Sequence, residues 1–517
     1  MASPTIPVVP SGFFVFRSPL LPMSEWVAWG SGLEAPAHVD DALRLEGALA
    51  SDRHEVRARL VAAVARPEVR EALFLASPST EGSLQHWLTA PDSEYGQKVE
   101  RTIVRYFSRM ASRSTPFGLF SGCSVGMIGT TTRLIVADRA SYQRHTRLDM
   151  AYLCKLTDAL ASDPRVTAHV RYKPSSSLYT AAGRLRYAEA HVGDVRSYGL
   201  VAVEPNELLD AMLARAATQP HGATVAELAH ALVELDPEIA PEDAERFIAE
   251  LVASQLLSSE LAPCVTGPEA IHGLIAQLRE HDTTIAAQLE KVRDELSALD
   301  AAPLGASPRV YLDIARSLEA LPCKLELPRL FQVDMVKPAP DATLSRNVVD
   351  AIRSTVLTLQ RIAPAPPTNP LDNFRDAFEA RFEQQAVPLL VALDDEAGIG
   401  YGSSGEVSPL LDTIPFETAV SAARSFTPHH VLLLAKLQEA QARGARTIVL
   451  AEADLEQLEN PAPPPLPASF SIMATLGARS TEALAAGDFQ LYFKGASWGV
   501  SLLGRFCHAD LALHEHV

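Results

Sequence analysis

Cysteine is scarce and scattered: Cys123, Cys154, Cys264, Cys323 and Cys507 are the five in the chain, and none forms a C-x-x-C pair. An odd, widely spaced set gives neither a disulfide framework nor a thiolate metal site, and reads as buried small side chains in a reducing compartment. Aromatic residues are only 6% of the 517 and charged residues 21%, against 47% hydrophobic, which excludes wholesale disorder. A basic excess is missing too, since 45 Lys and Arg face 63 Asp and Glu for a formal net charge of −18. That rules out a polycationic surface over the whole protein, and leaves any contact with a polyanion to a local patch. No run approaches the roughly 18 apolar residues of a membrane span, and residues 1–10 lack the basic and apolar parts of a secretory signal. A cytoplasmic location is expected.

Motifs for metal and nucleotide chemistry fail on context. After His54-Glu55 the position that would complete H-E-x-x-H is Ala58, and His514-Glu515-His516 offers two ligands on a terminal tail, which do not close a site. No bound metal is expected. The run G-Y-G-S-S-G at 400–405 fits G-x-G-x-x-G, but Pro409 follows and no amphipathic helix opens there, so dinucleotide binding is set aside.

The length suggests about three structural units. A strand is expected over 13–21, then helices over 41–50, 53–65, 67–76 and 98–112, the last stopped at Ser114-Thr115-Pro116. Between 170 and 190 the runs VRYK, SSLYT and RLRYAEA read as a three-stranded meander. Helices over 204–217, 224–235 (Thr224 as N-cap) and 241–254 follow, so 168–262 reads as a winged helix-turn-helix unit. A long amphipathic helix, or two, covers 267–299, and proline-rich runs at 363–370 and 460–467 read as stiff linkers. The expected fold is α+β, several subdomains of mixed sheets and helices, divided as 1–167, 168–262 and 263–517.

The segment 98–113, KVERTIVRYFSRMASR, repeats Arg101, Arg105, Arg109 and Arg113 every fourth residue, placing them along one side of a helix while Val99, Ile103, Phe107 and Met110 turn inward. Like charges at i and i+4 repel by a few tenths of a kcal/mol per pair, so something anionic must offset them. Either acidic side chains elsewhere in the protein do so, or the stripe is a phosphate-binding face, for which arginine's bidentate donors suit.

Directly after the stripe comes S-R-S-T-P-F-G-L-F-S-G at 112–122. This string resembles the signature of the LanB-type lantibiotic dehydratases, in their N-terminal glutamylation domain. FVFRSPLLP at 14–22, TRLDM at 146–150, FQVDM at 331–335, VPLLVALDDEAGIGYG at 387–402 and GVSLLGRFCH at 499–508 resemble further family segments, in family order.

The resemblance implies an acyl transfer. Glutamate would pass from glutamyl-tRNA to Ser or Thr hydroxyls of a ribosomal precursor peptide, before a second active site eliminates it to leave dehydroalanine or dehydrobutyrine. The ester is already activated, so no cofactor is expected beyond glutamyl-tRNA as co-substrate, and the work is positioning. Arg109, Arg113 and Thr115 match motif residues. The arginines, with Arg101 and Arg105 extending the stripe and Arg505 added from the last segment, are assigned to tRNA or its glutamyl end, and Thr115 to catalysis. Asp149 and Asp334 are candidates to orient the glutamyl amino group or the attacking hydroxyl. Their ordinary alternatives are a helix cap or an ion pair with Arg147 or Lys337, and that of Arg505 is a structural ion pair. The precursor's leader is expected to add as a strand to the winged unit, with 184–190 as the free edge and Arg184, Leu185 and Tyr187 as contacts.

Full family members continue well beyond this length. Elimination is therefore expected from a separate protein or C-terminal half, and uncovered apolar faces should drive association with that partner or with a second copy. The rival readings are an enzyme that uses aminoacyl-tRNA to extend a peptide terminus, and a non-catalytic module that holds the precursor.

Overall fold

The computed structural model describes residues 8–192, 196–281, 283–364, 370–401 and 427–517. The chain divides into two compact units: Met1–Pro174 with Asp210–Val349 and Ser471–Val517, and Ser175–Leu209 with Asp350–Phe470. The fold is α+β, as expected. The G-Y-G-S-S-G run lies, from its second glycine onward, outside the described residues, as does most of the first proline-rich run.

In chain order the strands are β1 Phe13–Pro19, β2 Ser121–Gly129, β3 Gln143–Leu148, β4 Arg171–Pro174, β5 Tyr179–Ala181, β6 Arg184–Val192 and β7 Arg196–Val203. There follow β8 Ala223–Thr224, β9 Leu257–Ser259, β10 Phe331–Val336, β11 Thr343–Ser345, β12 Ser471–Ala478 and β13 Phe489–Ser497. The first unit is built on a sheet of order β1-β2-β10-β3, with β11 also paired to β2. β1 runs antiparallel to β2 in full register from Phe13↔Met127 to Pro19↔Ser121. Val336 of β10 meets Cys123 of β2 in parallel, and a Cβ on Gly122 would stand 2.8 Å from the Met335 carbonyl, so only glycine lets the two strands approach there.

One face of this sheet carries the main core. Val333 and Met335 of β10 join Val99, Ile103, Phe107 and Met110 of the helix Glu94–Ser112, with Leu73, Trp87, Leu119 and Phe120. Each of these large side chains contributes on the order of 1.5–3 kcal/mol on burial. The opposite face carries a smaller cluster, in which Phe506 and Leu513 from the C-terminal segment pack on Cys123 with Phe13, Val15 and Val125.

Three expectations need correction. The helices read over 41–50 and 53–65 are one, Ala42–Val64. Asp52 sits buried inside this helix and accepts hydrogen bonds from Glu34 N at 2.8 Å and Ala35 N at 2.9 Å, anchoring the preceding turn. The meander over 170–190 forms only in its second and third strands, β5 and β6. β4 pairs with β8 and β9, far along the chain, while β5 and β6 join β7 in a sheet of the other unit. Alternating apolar residues mark a strand but not its partner. The elements read together as one winged unit are thus shared between the two compact units, and β6 is not an edge: Arg184–Arg186 pair with β5 and Leu185–Val192 with β7.

Candidate functional site

The helix Glu94–Ser112 begins at Ser93, whose Oγ accepts from Gly96 N at 3.0 Å, and it presents the arginine stripe on the side away from the core. Arg101, Arg105 and Arg113 are exposed and Arg109 is partly so. Among the described residues none of the four has a carboxylate within ion-pair distance. Glu100, the acid inside the segment, faces elsewhere, held by Arg57 Nε at 2.6 Å and Trp87 Nε1 at 3.0 Å, and Lys98 is taken by Glu94 at 2.8 Å. The stripe is therefore left as an unneutralised row of cations, which favours the anion-binding reading over internal neutralisation.

The turn after the helix is tightly tied. Leu20 N donates to Phe120 O and Leu21 N to Met110 O, both at 2.9 Å, so the end of β1 staples the turn to the helix. Ser121 Oγ lies 2.7 Å from Ser114 O and 3.1 Å from Ser18 O. Lys337 Nζ, buried under the same corner, donates to Pro19 O at 2.7 Å and sits 4.6 Å from the Tyr142 ring. Burial, with Arg139 nearby, drives that ammonium down to about 8. Thr115 stands exposed in this turn beside the last arginine.

A second cluster occupies the opposite face of the sheet. Because strand residues alternate sides, Gln332 and Asp334 point away from the helix when Val333 and Met335 point toward it, and register sets Asp334 beside His145 and Gln332 beside Arg147. Asp334 is 1% exposed. It accepts from Arg147 Nη2 at 3.1 Å and from Arg505 Nε at 2.8 Å, and the Gln332 amide oxygen, turned toward the guanidinia, accepts from Arg147 Nη2 at 2.9 Å and Arg505 Nε at 3.2 Å. Two guanidinia share the Asp334 carboxylate, and Arg147 Nη1 is buried with no hydrogen-bond partner among the described residues. His145 Nε2 lies 2.7 Å from Glu269, and the His508 ring stacks on His145 at 6.4 Å. Burial raises the Glu269 carboxyl, but the His145 ring and then Arg147 outweigh it and hold it below the usual range; burial, then Arg147, holds the His508 ring below its own. Burial pushes the neighbouring Cys123 thiol up to about 12, so it stays protonated and is no nucleophile.

The structure thus brings Arg101, Arg105, Arg109, Arg113 and Thr115 together on one side of the sheet, and Asp334 with Arg505 on the other. Asp149 joins neither group. Its carboxylate accepts from Ala151 N at 2.8 Å and caps the helix Met150–Ala161. His145 and His508 were not singled out from sequence, and Arg147 was named there only as an ion-pair partner, which it is for Asp334; the two-residue spacing of His145 and Arg147 in β3 is the signal that sets them on one face. In the second unit, Leu185 and Tyr187 are buried and Arg184 pairs with Glu204 at 2.9 Å, so the side chains named for the peptide do not form an open surface. Tyr198 and Leu200 of β7 are the exposed ones, facing Ala190 and Ala188 of β6.

No helix among the described residues is long and apolar enough to cross a membrane. The chain is 23% identical over 346 residues to the subtilin biosynthesis protein SpaB of Bacillus subtilis, covering 64% of this chain and 32% of that protein. To the epidermin biosynthesis protein EpiB of Staphylococcus epidermidis it is 21% identical over 318 residues, covering 60% and 31%. The chain thus spans about a third of the length of these curated relatives. Its fold matches the crystal structure of the tRNA dependent lantibiotic dehydratase MibB from Microbispora sp. 107891 with a TM-score of 0.68 at 21% identity, over 94% of this chain and 44% of that one. The family described as lantibiotic dehydratase, N terminus, matches residues 65–517, and the chain belongs to that family.

Proposed function

We propose that this chain transfers glutamate from glutamyl-tRNA to Ser and Thr hydroxyls of a precursor peptide. The observation that carries the reading is the unneutralised arginine stripe, which runs straight into the family's S-R-x-T-P-F-G-L-F turn. In a chain of net charge −18 such a stripe costs repulsion unless a polyanion meets it, and tRNA phosphates supply the charge. The chemistry is a transesterification. The peptide hydroxyl oxygen attacks the glutamyl carbonyl, the ribose oxygen of the tRNA leaves, and the hydroxyl proton passes to that leaving oxygen. One ester replaces another, so no energy-supplying cofactor is needed. Arg101, Arg105 and Arg113 hold phosphates, and Arg109 and Thr115 stand where the stripe meets the turn, at the acceptor end. Asp334, saturated by two guanidinia, acts by fixing Arg147 and Arg505 as a cationic pair for a glutamyl carboxylate rather than as a free base.

The leader is assigned to the sheet β5-β6-β7, with Tyr198 and Leu200 as its apolar contacts. Elimination belongs to a partner or to a further domain.

The test is tRNA binding as a function of salt. Arg101→Ala, Arg105→Ala and Arg113→Ala should each lower the slope of log affinity against log salt by about 0.7–0.9 while leaving leader binding unchanged. Unchanged slopes for all three would refute the phosphate assignment.

A further inference from the structure

The Arg109 guanidinium carbon lies 4.4 Å from the centroid of the Phe117 ring and 6.0 Å from that of Phe120. Its Nε is buried and has no acceptor among the described residues. With no carboxylate near it either, this guanidinium is held by an aromatic ring and by no anion. The ring in turn is held. Phe117 meets Phe120 edge-on at 5.4 Å, and Phe120, wholly buried, meets Tyr106 edge-on at 5.3 Å. Gly118, at φ 52°, supplies the left-handed step that folds Phe117 back over the helix end, and Phe120 N closes the turn on Phe117 O at 3.0 Å. Phe117 stays 37% exposed, so its ring and the guanidinium stacked on it lie at the protein surface.

We infer that Phe117 is a positioning residue, whose ring fixes the plane of the Arg109 guanidinium for the anionic group it meets on glutamyl-tRNA. The inference rests on the reading of the stripe given above. A free arginine must give up several rotatable bonds on binding, whereas one already stacked on a ring has lost them beforehand, so affinity rises without any new contact to the ligand. Leucine at 117 would fill similar space with no quadrupole, and tryptophan would restore and strengthen it.

The test is a double-mutant cycle on the full chain, read by anisotropy with uncharged glutamate tRNA at several salt concentrations. Arg109→Ala should weaken binding about tenfold and lower the salt slope by about 0.7–0.9. Phe117→Leu should weaken binding about threefold or more at an unchanged slope, since the charge remains. Combined with Arg109→Ala it should cost nothing further, and Phe117→Trp should bind as the wild type does. Equal losses from Phe117→Leu with and without Arg109, or no loss at all, would overturn the inference while leaving the stripe reading intact. Wild-type binding by Arg109→Ala would overturn both. Should Phe117→Leu fail to fold, failure of Phe117→Trp to bind normally would count against the ring's role in the same way.

Discussion

Asp334 and Arg505, 171 residues apart in sequence, meet with the Arg505 Nη2 at 2.6 Å from the Asp334 carboxylate and its Nε at 2.8 Å. The contact ties the C-terminal helical segment that carries Arg505 to the core sheet on the face opposite the arginine helix. Arg147 completes the arrangement from the neighbouring strand at 3.1 Å. Removing the buried carboxylate leaves the largely buried Arg147 guanidinium without its ion partner, so Asp334→Ala should lower the unfolding free energy by about 3 kcal/mol in urea titrations. Arg505→Ala should cost less, because the Arg505 side chain is 40% exposed and is screened by water. Equal costs would show that the pair is not organised around a buried Asp334.

Lys337 gives a pH signature. Burial brings its ammonium down to about 8 in the folded chain, while the unfolded chain keeps an ordinary value of about 10.4. Between those two pH values the unfolded state binds more protons, so stability rises with pH through that window; below about 8 both states are protonated and the burial cost is present in full. The rise is on the order of 1–3 kcal/mol. Lys337→Met should remove it, seen as a shrinking difference between the two proteins' unfolding free energies from neutral pH to about 10. A difference that stays constant over that range would contradict the buried charge.

Much of this was legible in the sequence where the signal is local. Thr224 caps its helix with a capping box to Glu227, as its position three residues before a glutamate suggests, and the inward set Val99, Ile103, Phe107 and Met110 is buried as helical spacing requires. The uncertain 267–299 stretch resolves as two helices, Ala270–His281 and Thr283–Ala301. What local pattern does not encode is pairing at a distance. Tyr172 finds Ala223 and Ser259 rather than the next strand, and Asp149 and Asp334, similar in sequence context, part ways because one precedes a helix and the other lies mid-strand between two arginines. For the same reason the choice of Asp334 as the partner of Arg147 is fixed only once β3 and β10 are aligned.

Leader binding separates from tRNA binding in this account. Leu200→Asp and Tyr198→Asp place charge on the exposed apolar face of β7, and each should weaken leader affinity about tenfold, measured by isothermal titration, with tRNA affinity unchanged. A loss of tRNA binding, or none of leader binding, would move the peptide site off this sheet.

The central claim is glutamyl transfer, and mass spectrometry of a Ser/Thr-rich precursor peptide reads it directly. The peptide is incubated with glutamyl-tRNA and this chain, alone and together with a separately supplied elimination half. The account predicts glutamyl esters on Ser and Thr where they are not eliminated, and dehydroalanine or dehydrobutyrine at the same positions once the elimination half removes the glutamate, both absent when Arg109→Ala or Arg113→Ala replaces the wild type. Neither product in either reaction, adducts at the peptide terminus in place of the hydroxyls, or products indifferent to both arginines would contradict it.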